Sequence, residues 1–447
     1  MTADFIQRDL SVVWHPCTQM KDHETLPMIP VKSGHGVWLE DMEGNRYIDA
    51  ISSWWVNLFG HCHPVISKAV QKQLDQLEHV MLAGFTHEPV LQLSERLVEV
   101  VPPGLTRCFY AENGSSAVEI ALKMSFHFWL NTGKPGKKKF IALDNSYHGE
   151  TLGALSVGNI PLYRQTYAPL LLDTITAPSP DCYFREDGVT WEQHSRSVFA
   201  EMDRLLSEHA HEVCAVIVEP LVQCAGNMRM YHPVYLSLLR DACNRYDVHL
   251  IADEIAVGFG RTGTMFACEQ ANISPDILCL SKGLTAGYLP FAVTMSTEKI
   301  YQAFYDDYKN LTAFLHSHSY TGNPLGCSAA LACLDIFKNE NVIENNQGLA
   351  EAMRTMTADL EEHPHVAEVR QHGMILAIEL VQDKKKRVPF PWQERRGLIV
   401  YRHALANGVL LRPLGTVIYL MPPYVITTEQ LEKVISVARE GITLAVQ

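Results

Sequence analysis

The sequence predicts an α/β protein with a mainly parallel sheet and a second, smaller domain, and two observations lead to this prediction. Short apolar runs rich in Val and Ile alternate with longer segments of helical periodicity through the middle of the chain, which is the pattern of β-α-β units. The chain has 447 residues, whereas a typical domain has roughly 100 to 200. We therefore expect a large sheet domain and a second lobe.

Five apolar runs are the candidate strands of the sheet, and each is short enough for a buried strand. They are Arg107–Ala111, Lys139–Leu143, Val213–Glu219, Val248–Asp253 and Ile277–Ser281. A helix is predicted at Pro233–Tyr246, between two of these strands. These elements form the predicted large domain, residues 65–338.

The two ends of the chain are predicted to form the smaller domain together. A stretch rich in Trp, Gly and His occupies residues 1–64, and the carboxyl-terminal part is residues 339–447. This last part holds a helical pattern near Asn341–Glu362 and alternating segments at His372–Leu380 and Val409–Leu420. The boundaries follow shifts in pattern, because the chain shows no internal repeat.

Composition argues against several classes of protein. The net charge is −13, which disfavours nucleic acid as a partner. Apolar runs such as Val213–Val218 are far shorter than the ~20 residues of a membrane helix, and Met1–Leu10 lacks a signal pattern. The 11 cysteines form no C-x-x-C pair, and His61-Cys62-His63 has no second ligand pair for a metal. We expect a cytoplasmic protein that acts on small molecules, without a metal, nucleic acid or membrane.

An acid and a lysine follow two neighbouring candidate strands. Asp253 ends the run His249–Asp253, and Lys282 follows the run that begins at Ile277. Ligands of open parallel sheets bind at the carboxyl ends of the strands, so both side chains are predicted to reach one crevice. Taken singly, either residue could instead form a salt bridge in the core.

Two further segments add an anion site and an aromatic face. Asn113-Gly114-Ser115-Ser116 follows a strand and opens a helical pattern, so its first N–H groups could hold a phosphate. Tyr147 lies just beyond the strand that ends at Leu143 and could stack on a planar ring. An amine, a carboxylate, an anion cradle and a stacking face are what pyridoxal phosphate (PLP) needs. Lys282 is then the residue that holds the cofactor as a Schiff base, and Asp253 the partner of its ring nitrogen.

A rival motif favours a different cofactor. Gly258-Phe259-Gly260-Arg261-Thr262-Gly263 matches the G-x-G-x-x-G fingerprint of dinucleotide-binding proteins. However, the residues 254–257 separate it from the preceding strand, and no clean amphipathic helix follows it. The context therefore disfavours a nicotinamide oxidoreductase.

The segment Ile251–Gly263 resembles the signature of class III (ornithine/omega type) aminotransferases. Family-like segments also occur at Gly60–Pro64, Asn113–Ala117, Tyr147–Gly149, Ser281–Gly283 and Thr321–Pro324, so the resemblance spans nearly the whole chain. It implies a PLP-dependent transferase of fold type I, an aminotransferase that works as a homodimer with its active sites at the subunit interface.

Four further patches resemble a biosynthetic branch of this family whose amino acceptor is a long-chain amino-keto acid. They are Trp14-His15-Pro16, Ser52-Ser53-Trp54-Trp55, Met228–Pro233 and Arg412–Gly415 with Ile418–Tyr424. The resemblance implies that the cofactor is bound by Gly114, Ser115, Tyr147, Asp253 and Lys282, and by Ser319 with His318 of the other subunit. It implies a substrate site lined by Trp54, Tyr147, Lys282, Ser317 and Arg412, and catalytic roles for Lys282, Asp253 and Tyr147.

Some features leave the substrates open. Cys17 stands where some relatives have a tyrosine, and Ser317-His318-Ser319 where some have Gly-Pro-Thr. The adjacent Trp54 and Trp55 would face opposite ways on an extended segment, so at most one is expected to line the site and the other to lie in the core. The sequence does not separate S-adenosylmethionine from lysine as amino donor, and ornithine or 4-aminobutyrate would serve in another branch of the family.

Overall fold

The structure is a computed structural model that describes residues 2–26 and 28–447. Its strands, in chain order, are β1 (Val31–His35), β2 (Trp38–Asp41), β3 (Arg46–Asp49), β4 (Leu105–Ala111), β5 (Lys139–Leu143), β6 (Ile175–Ala177), β7 (Val213–Val218), β8 (Val222–Gln223), β9 (Arg229–Met230), β10 (His249–Asp253), β11 (Ile277–Leu280), β12 (Ala292–Thr297), β13 (Val366–His372), β14 (Ile375–Asp383), β15 (Val388–Pro389), β16 (Val409–Leu410) and β17 (Val417–Leu420). The α-helices include Thr2–Val12, Pro64–Leu74, Glu88–Val100, Gly114–Asn131, Leu152–Ser156, Pro161–Tyr167, Trp191–His209, Val234–Tyr246, Glu298–Gln302, Pro324–Asn339, Val342–Thr357, Arg396–Ala406 and Thr428–Ala445.

The central sheet has seven strands in the order β4-β12-β11-β10-β7-β5-β6. Every neighbouring pair is parallel except the two that involve β12, which runs antiparallel to β11 and to β4. The five predicted strands are all present in this sheet, with ends shifted by at most two residues. The prediction of an α/β fold with a mainly parallel sheet is confirmed, while β6 and β12 were not predicted.

Helices cover the central sheet, and its strands are correspondingly apolar. All six residues of β7 are buried, as expected for a parallel strand that is covered on both faces. The helix Gly114–Asn131 packs on this sheet through ten buried residues. Among the described residues, no helix is both long enough and apolar enough to cross a membrane.

The two ends of the chain meet in a second sheet. Its order is β1-β2-β3-β16, and β16 pairs with β3 in parallel, so residues near 409 lie beside residues near 48. A third sheet combines β13, β14, β15 and β17. The continuous alternating segment predicted at Val409–Leu420 is wrong, because this stretch forms two short strands joined by a loop. Pro413 has no backbone N–H to donate, and Gly415 takes a φ of +59°, which ends the strand pattern.

The segment Ser52–Trp55 is a left-handed turn, so the expectation of an extended segment there is wrong. Its four residues have φ values of 53°, 46°, 69° and 75°. Left-handed backbone costs roughly 1 to 2 kcal/mol for each residue other than glycine, so surrounding contacts must stabilise this turn. Successive side chains of a turn do not alternate between faces, and Trp54 and Trp55 both reach the same cavity.

Candidate active site

A cavity of about 800 Å³ opens at the carboxyl ends of β10 and β11. This volume is in the range of pockets that bind cofactors and small substrates. Asp253 ends β10, and Lys282 follows the neighbouring strand β11, so the parallel pairing of these strands brings both side chains to the cavity. The predicted crevice is therefore present.

The carboxylate of Asp253 is held from two sides. Its Oδ2 lies 2.7 Å from Nδ1 of His148, and its Oδ1 accepts a hydrogen bond from the backbone N–H of Ile255 at 3.1 Å. Asp253 is 5% exposed and His148 2% exposed. A buried carboxylate that is held in this way is suited to pair with a protonated ring nitrogen.

A second buried carboxylate lies beside this pair. Glu219 accepts backbone N–H groups from Tyr147 at 2.9 Å and from Cys224 at 3.0 Å. Burial raises the pKa of Glu219 to about 7, partly opposed by nearby His148. The Nε2 atom of His148 is buried without a hydrogen-bond partner among the described residues. The cavity floor therefore combines two carboxylates and an imidazole.

Lys282 begins a short 3₁₀ turn, Lys282–Thr285, and points its amine into the cavity. Its Nζ lies 4.8 Å from the ring centre of Trp55. Burial lowers the pKa of the Lys282 amine, against the opposing attraction of Cys224, Asp253 and Glu219. A lowered pKa favours the neutral amine, the form that attacks an aldehyde and carries protons.

The helix Gly114–Asn131 begins at the cavity, in the segment for which the sequence predicts an anion cradle. The side chain of Asn113 caps the helix by accepting the N–H of Ser116 at 3.0 Å. A Cβ at Gly149 would clash with Ser115 Oγ at 2.3 Å, and a Cβ at Gly114 would lie tightly against Ile255 at 3.0 Å, so the backbone here is closely packed. Because the first N–H groups of a helix have no partner within the helix, they remain available for a phosphate. The groups in this cavity thus fit PLP, because an amine, a carboxylate and a closely packed helix N-terminus lie together.

Aromatic and polar side chains form the rim of the cavity. Tyr147 donates its hydroxyl to Oε1 of Glu150 at 3.0 Å, and burial raises the pKa of Tyr147. The Tyr163 ring centre lies 6.4 Å from that of Tyr147, and the Tyr163 hydroxyl lies 2.7 Å from Sγ of Cys17. Cys17 is therefore part of the cavity, next to a phenol that another segment supplies.

The opposite wall combines the tryptophan turn with the loop after β16. The guanidinium carbon of Arg412 lies 4.2 Å from the ring centre of Trp54. Among the ion pairs of the described residues, Arg412 has no carboxylate partner. A stacked guanidinium without a carboxylate is available to bind the carboxylate of a substrate.

Three of the predicted site residues lie elsewhere in this chain. Ser317, His318 and Ser319 do not line the cavity, and Nδ1 of His318 lies 3.1 Å from Oε2 of Glu112. The seven residues that do meet at the cavity are Lys282, Asp253, Tyr147, Gly114, Ser115, Trp54 and Arg412.

Sequence reasoning assigned no role to several polar residues of the cavity, among them His148, Glu219, Glu150 and Tyr163. Glu219 carried a usable signal, because it ends a predicted strand that neighbours β10 and so had to lie at the same edge of the sheet. No sequence signal predicted the contact of His148 with Asp253, because this contact depends on the conformation of a loop.

The rival glycine motif folds in a way that does not fit a dinucleotide. Residues 255–262 form consecutive turns, and the next helical segment is a short 3₁₀ helix, Ala267–Ala271. Arg261 is buried there and donates to the backbone carbonyls of Pro422 and Asn57. The motif thus joins segments of the chain and opens no α-helix toward a phosphate.

A fold of this topology with an amine, a carboxylate and an anion cradle defines a PLP-dependent enzyme, and comparison with known proteins gives its family. Residues 19–440 match the model of the family described as aminotransferase class-III. The chain belongs to the class III aminotransferases, which are PLP-dependent, so the predicted family, enzyme class and cofactor are confirmed.

Its relatives include named enzymes. The chain is 48% identical over 433 residues to adenosylmethionine-8-amino-7-oxononanoate aminotransferase of Helicobacter pylori, with 96% of this chain and 95% of that protein covered. The crystal structure of the Methanocaldococcus jannaschii protein of the same name has a TM-score of 0.93 at 39% identity, with 99% of each chain covered. An omega transaminase from Pseudomonas jessenii in complex with PMP has a TM-score of 0.94 at 28% identity, covering 99% of this chain and 98% of that one.

Proposed function

We propose that this chain transfers an amino group to 8-amino-7-oxononanoate and so makes 7,8-diaminononanoate, in biotin biosynthesis, with S-adenosylmethionine as donor. The names of its relatives support this reaction. The observation that carries the proposal is the cavity itself, which has Lys282 and Asp253 at one side. At the other side lies Arg412, which stacks on Trp54 and has no carboxylate partner among the residues that the structure describes. That arrangement suits a long substrate with a reacting carbon at one end and a carboxylate at the other.

The cofactor, when bound, supplies an aldehyde and an electron-withdrawing ring that carry the amino group between two substrates. Lys282 would hold the aldehyde carbon. Gly114, Ser115 and the N–H groups of their helix would bind the phosphate, and Tyr147 would stack on the ring. Asp253 would keep the ring nitrogen protonated, because a carboxylate at that position favours the charged form.

Lys282 is the proposed carrier of the proton in both half-reactions. Burial lowers the pKa of the Lys282 amine, which favours the neutral form that can take a proton from the donor carbon in one half-reaction and deliver one to the acceptor carbon in the other. Asp253 stays in place because His148 and the backbone of Ile255 hold both of its oxygens. The chain therefore contributes a mobile base and a fixed counter-charge.

The Arg412 wall is the proposed site of the acceptor. Its planar guanidinium would bind the acceptor carboxylate with two hydrogen bonds, and the rings of Trp54 and Trp55 would cover the carbon chain. Tyr147, Glu150 and Tyr163 line the remaining rim and would contact whichever amine is in the site.

A homodimer is part of the proposal. Ser317, His318 and Ser319 lie outside the cavity of their own chain, so they would serve the cofactor phosphate and substrate of a partner subunit. The same stretch of chain carries large apolar side chains that are exposed, as expected where a second subunit packs. These are Tyr308, Leu311, Leu315 and Tyr320, which are 93%, 73%, 74% and 61% exposed. We also propose that the enzyme is cytoplasmic. All eleven cysteines are free thiols, which is typical of proteins in a reducing compartment.

The test is a spectroscopic titration of the purified protein with candidate donors. The bound cofactor should absorb in the visible region, and S-adenosylmethionine should bleach that band, after which 8-amino-7-oxononanoate should restore it. Bleaching by lysine alone would change the proposed donor. Bleaching by ornithine or 4-aminobutyrate, without recovery on adding 8-amino-7-oxononanoate, would refute the proposed reaction in favour of another in the family.

A further inference from the structure

The cavity wall formed by Trp54 and Trp55 depends on a left-handed backbone, a conformation that is unfavourable for residues other than glycine. Four consecutive residues, Ser52 to Trp55, are left-handed although none is glycine. Both tryptophans reach the cavity because of this turn, with Trp55 beside Lys282 and Trp54 against Arg412. Whatever holds the turn therefore also sets the shape of the cavity wall.

The buried carboxylate of Asp49 is the centre of the contacts that hold the turn. Its Oδ1 accepts the backbone N–H of Ser53 at 2.9 Å, and its Oδ2 accepts the Ser53 hydroxyl at 2.6 Å. Nε2 of His61 lies 3.0 Å from the same Oδ2. The side chain of Asp49 has no solvent exposure. Two of these contacts come from Ser53, the residue that precedes Trp54, and the third comes from His61. The buried carboxylate of Asp49 therefore holds Ser53, and His61 in turn holds the carboxylate.

The other contacts of the turn act on Ser52 and Trp55. The Ser52 hydroxyl donates to the carbonyl of Met421 at 2.7 Å, and the Trp55 indole N–H lies 3.1 Å from the Tyr419 hydroxyl. The Trp54 indole makes no hydrogen bond with any described residue and is 39% exposed. The position of Trp54 therefore depends on the backbone beside it, and that backbone depends on Asp49.

We propose that Asp49 is a positioning residue for the acceptor site: its carboxylate keeps Ser53 left-handed and so places Trp54 against Arg412. This inference rests on the proposed function for the identity of the acceptor. The placement of Trp54 can be measured without any substrate, so the two claims can fail separately.

The first experiment is Asp49→Asn in the holoenzyme. In asparagine, an NH2 group replaces one of the two carboxylate oxygens. This group cannot accept a hydrogen bond, so it would face at least one of the donors that Ser53 and His61 present to Asp49. The accessibility of Trp54 is measured by acrylamide quenching of tryptophan fluorescence. The original protein and the Asp49→Asn variant are each compared with a version that also carries Trp54→Phe, and the difference isolates Trp54 among the seven tryptophans. We expect Trp54 to become more accessible and KM for 8-amino-7-oxononanoate to rise roughly ten- to a hundredfold, the range of one hydrogen bond to a charged group. The donor half-reaction should change much less.

The second experiment adds Ser53→Gly to Asp49→Asn. Glycine adopts a φ of +46° without strain, so the double variant should keep the turn without the carboxylate. We expect KM and the shielding of Trp54 to return most of the way toward the original values. If Asp49 acts on the acceptor site in some way other than through the conformation of Ser53, the added glycine would leave KM and Trp54 quenching unrestored, and that result would overturn the proposal. Ser53→Ala, which removes one of the three donors, gives a milder test if Asp49→Asn does not fold.

The matched control is Asp41→Asn. Asp41 is also buried, at 4% exposure, ends the neighbouring strand β2 and accepts from the N–H groups of Glu43 and Asn45 and from the Tyr47 hydroxyl. It does not touch the turn. We expect Asp41→Asn to lower stability without changing Trp54 quenching or KM. Equal effects of the two variants, or unchanged Trp54 quenching in Asp49→Asn, would overturn the proposal. Altered quenching without any effect on 8-amino-7-oxononanoate would support the positioning role and contradict the proposed substrate.

Discussion

The two sides of the cavity are built in different ways. On one side, Asp253 and Lys282 follow adjacent parallel strands, and the sheet alone brings them together. On the other side, Trp54 and Arg412 come from opposite ends of the chain and lie on irregular backbone, a left-handed turn and a loop. The sheet thus fixes the proposed reaction centre, whereas contacts between distant segments fix the proposed substrate wall.

The largest effect should come from removing Lys282. We expect Lys282→Ala to lower turnover by a factor of about 10⁴ or more, because both the covalent anchor and the proton carrier are lost. Turnover in a single-cycle assay gives the measurement. Lys137→Ala is the matched control, since Lys137 is also buried but donates only to backbone carbonyls away from the cavity. Comparable losses in both variants would mean that the Lys282 effect is structural.

Removing the charge of Asp253 should have the next largest effect. Asp253→Asn keeps the size of the side chain, so bound cofactor should remain while turnover falls by about 10²- to 10⁴-fold. The amide cannot stabilise a protonated ring nitrogen as a carboxylate does. Cofactor content is measured by absorbance and turnover by product formation. Near-normal turnover with full cofactor content would exclude the proposed role of Asp253.

Arg412 tests the opposite wall. Arg412 is exposed in the structure, and a bound acceptor would cover it. Truncating one partner of a charge pair that binding buries costs about 2 to 5 kcal/mol, so Arg412→Ala should lower kcat/KM for 8-amino-7-oxononanoate by roughly 30- to several-thousand-fold. Arg412→Lys should recover only part of this loss, because lysine lacks the planar fork. Single-turnover conversion of the donor should change much less. Equal losses in both half-reactions would assign Arg412 to both substrates or to the fold.

A smaller effect distinguishes the two neighbouring acids at the end of β10. Asp253 faces the cavity, whereas Glu254 is fully buried and accepts the N–H groups of Ala267 and Cys268. Burial raises the pKa of Glu254 to about 7 from an ordinary value of 4.5. The folded chain then holds a proton that the unfolded chain releases between these values, so Glu254 makes stability fall as pH rises from about 4.5 to 7.

Glu254→Gln should remove this contribution. Unfolding at pH 6 in weakly buffered urea should release about one proton fewer from the variant than from the unaltered protein, measured with a pH electrode. The method needs no assumption of two-state unfolding. Glu219→Gln is a useful companion, because burial raises the pKa of Glu219 to a similar value within the cavity. Equal proton release from Glu254→Gln and the unaltered protein would show that Glu254 is ionised in the fold.

The reaction side could be predicted from the sequence because regular structure has simple rules. Five strands were identified from short apolar runs, and the carboxyl ends of parallel strands must share an edge, which placed Asp253 beside Lys282. The helix start at Gly114 likewise follows from a strand, a glycine and a helical pattern in succession.

The wall could not be predicted in the same way. The segment Ser52–Trp55 contains no glycine that would indicate a left-handed turn. The turn depends on contacts with Asp49, His61 and Met421, and Met421 lies 369 positions from Ser52 in the sequence. The expectation for the two tryptophans failed for this reason. The contact between Cys17 and Tyr163 also joins distant segments, at 146 positions. Contacts of this kind follow from the completed fold and leave no local pattern.

The central claim is that Lys282, at the end of β11, is the residue that bonds to the cofactor. Borohydride reduction of the holoenzyme, followed by digestion and mass spectrometry, reports the modified lysine directly. We predict one cofactor-bearing peptide, with the modification on Lys282. A cofactor adduct on another lysine, or no adduct although the cofactor is bound, would contradict it.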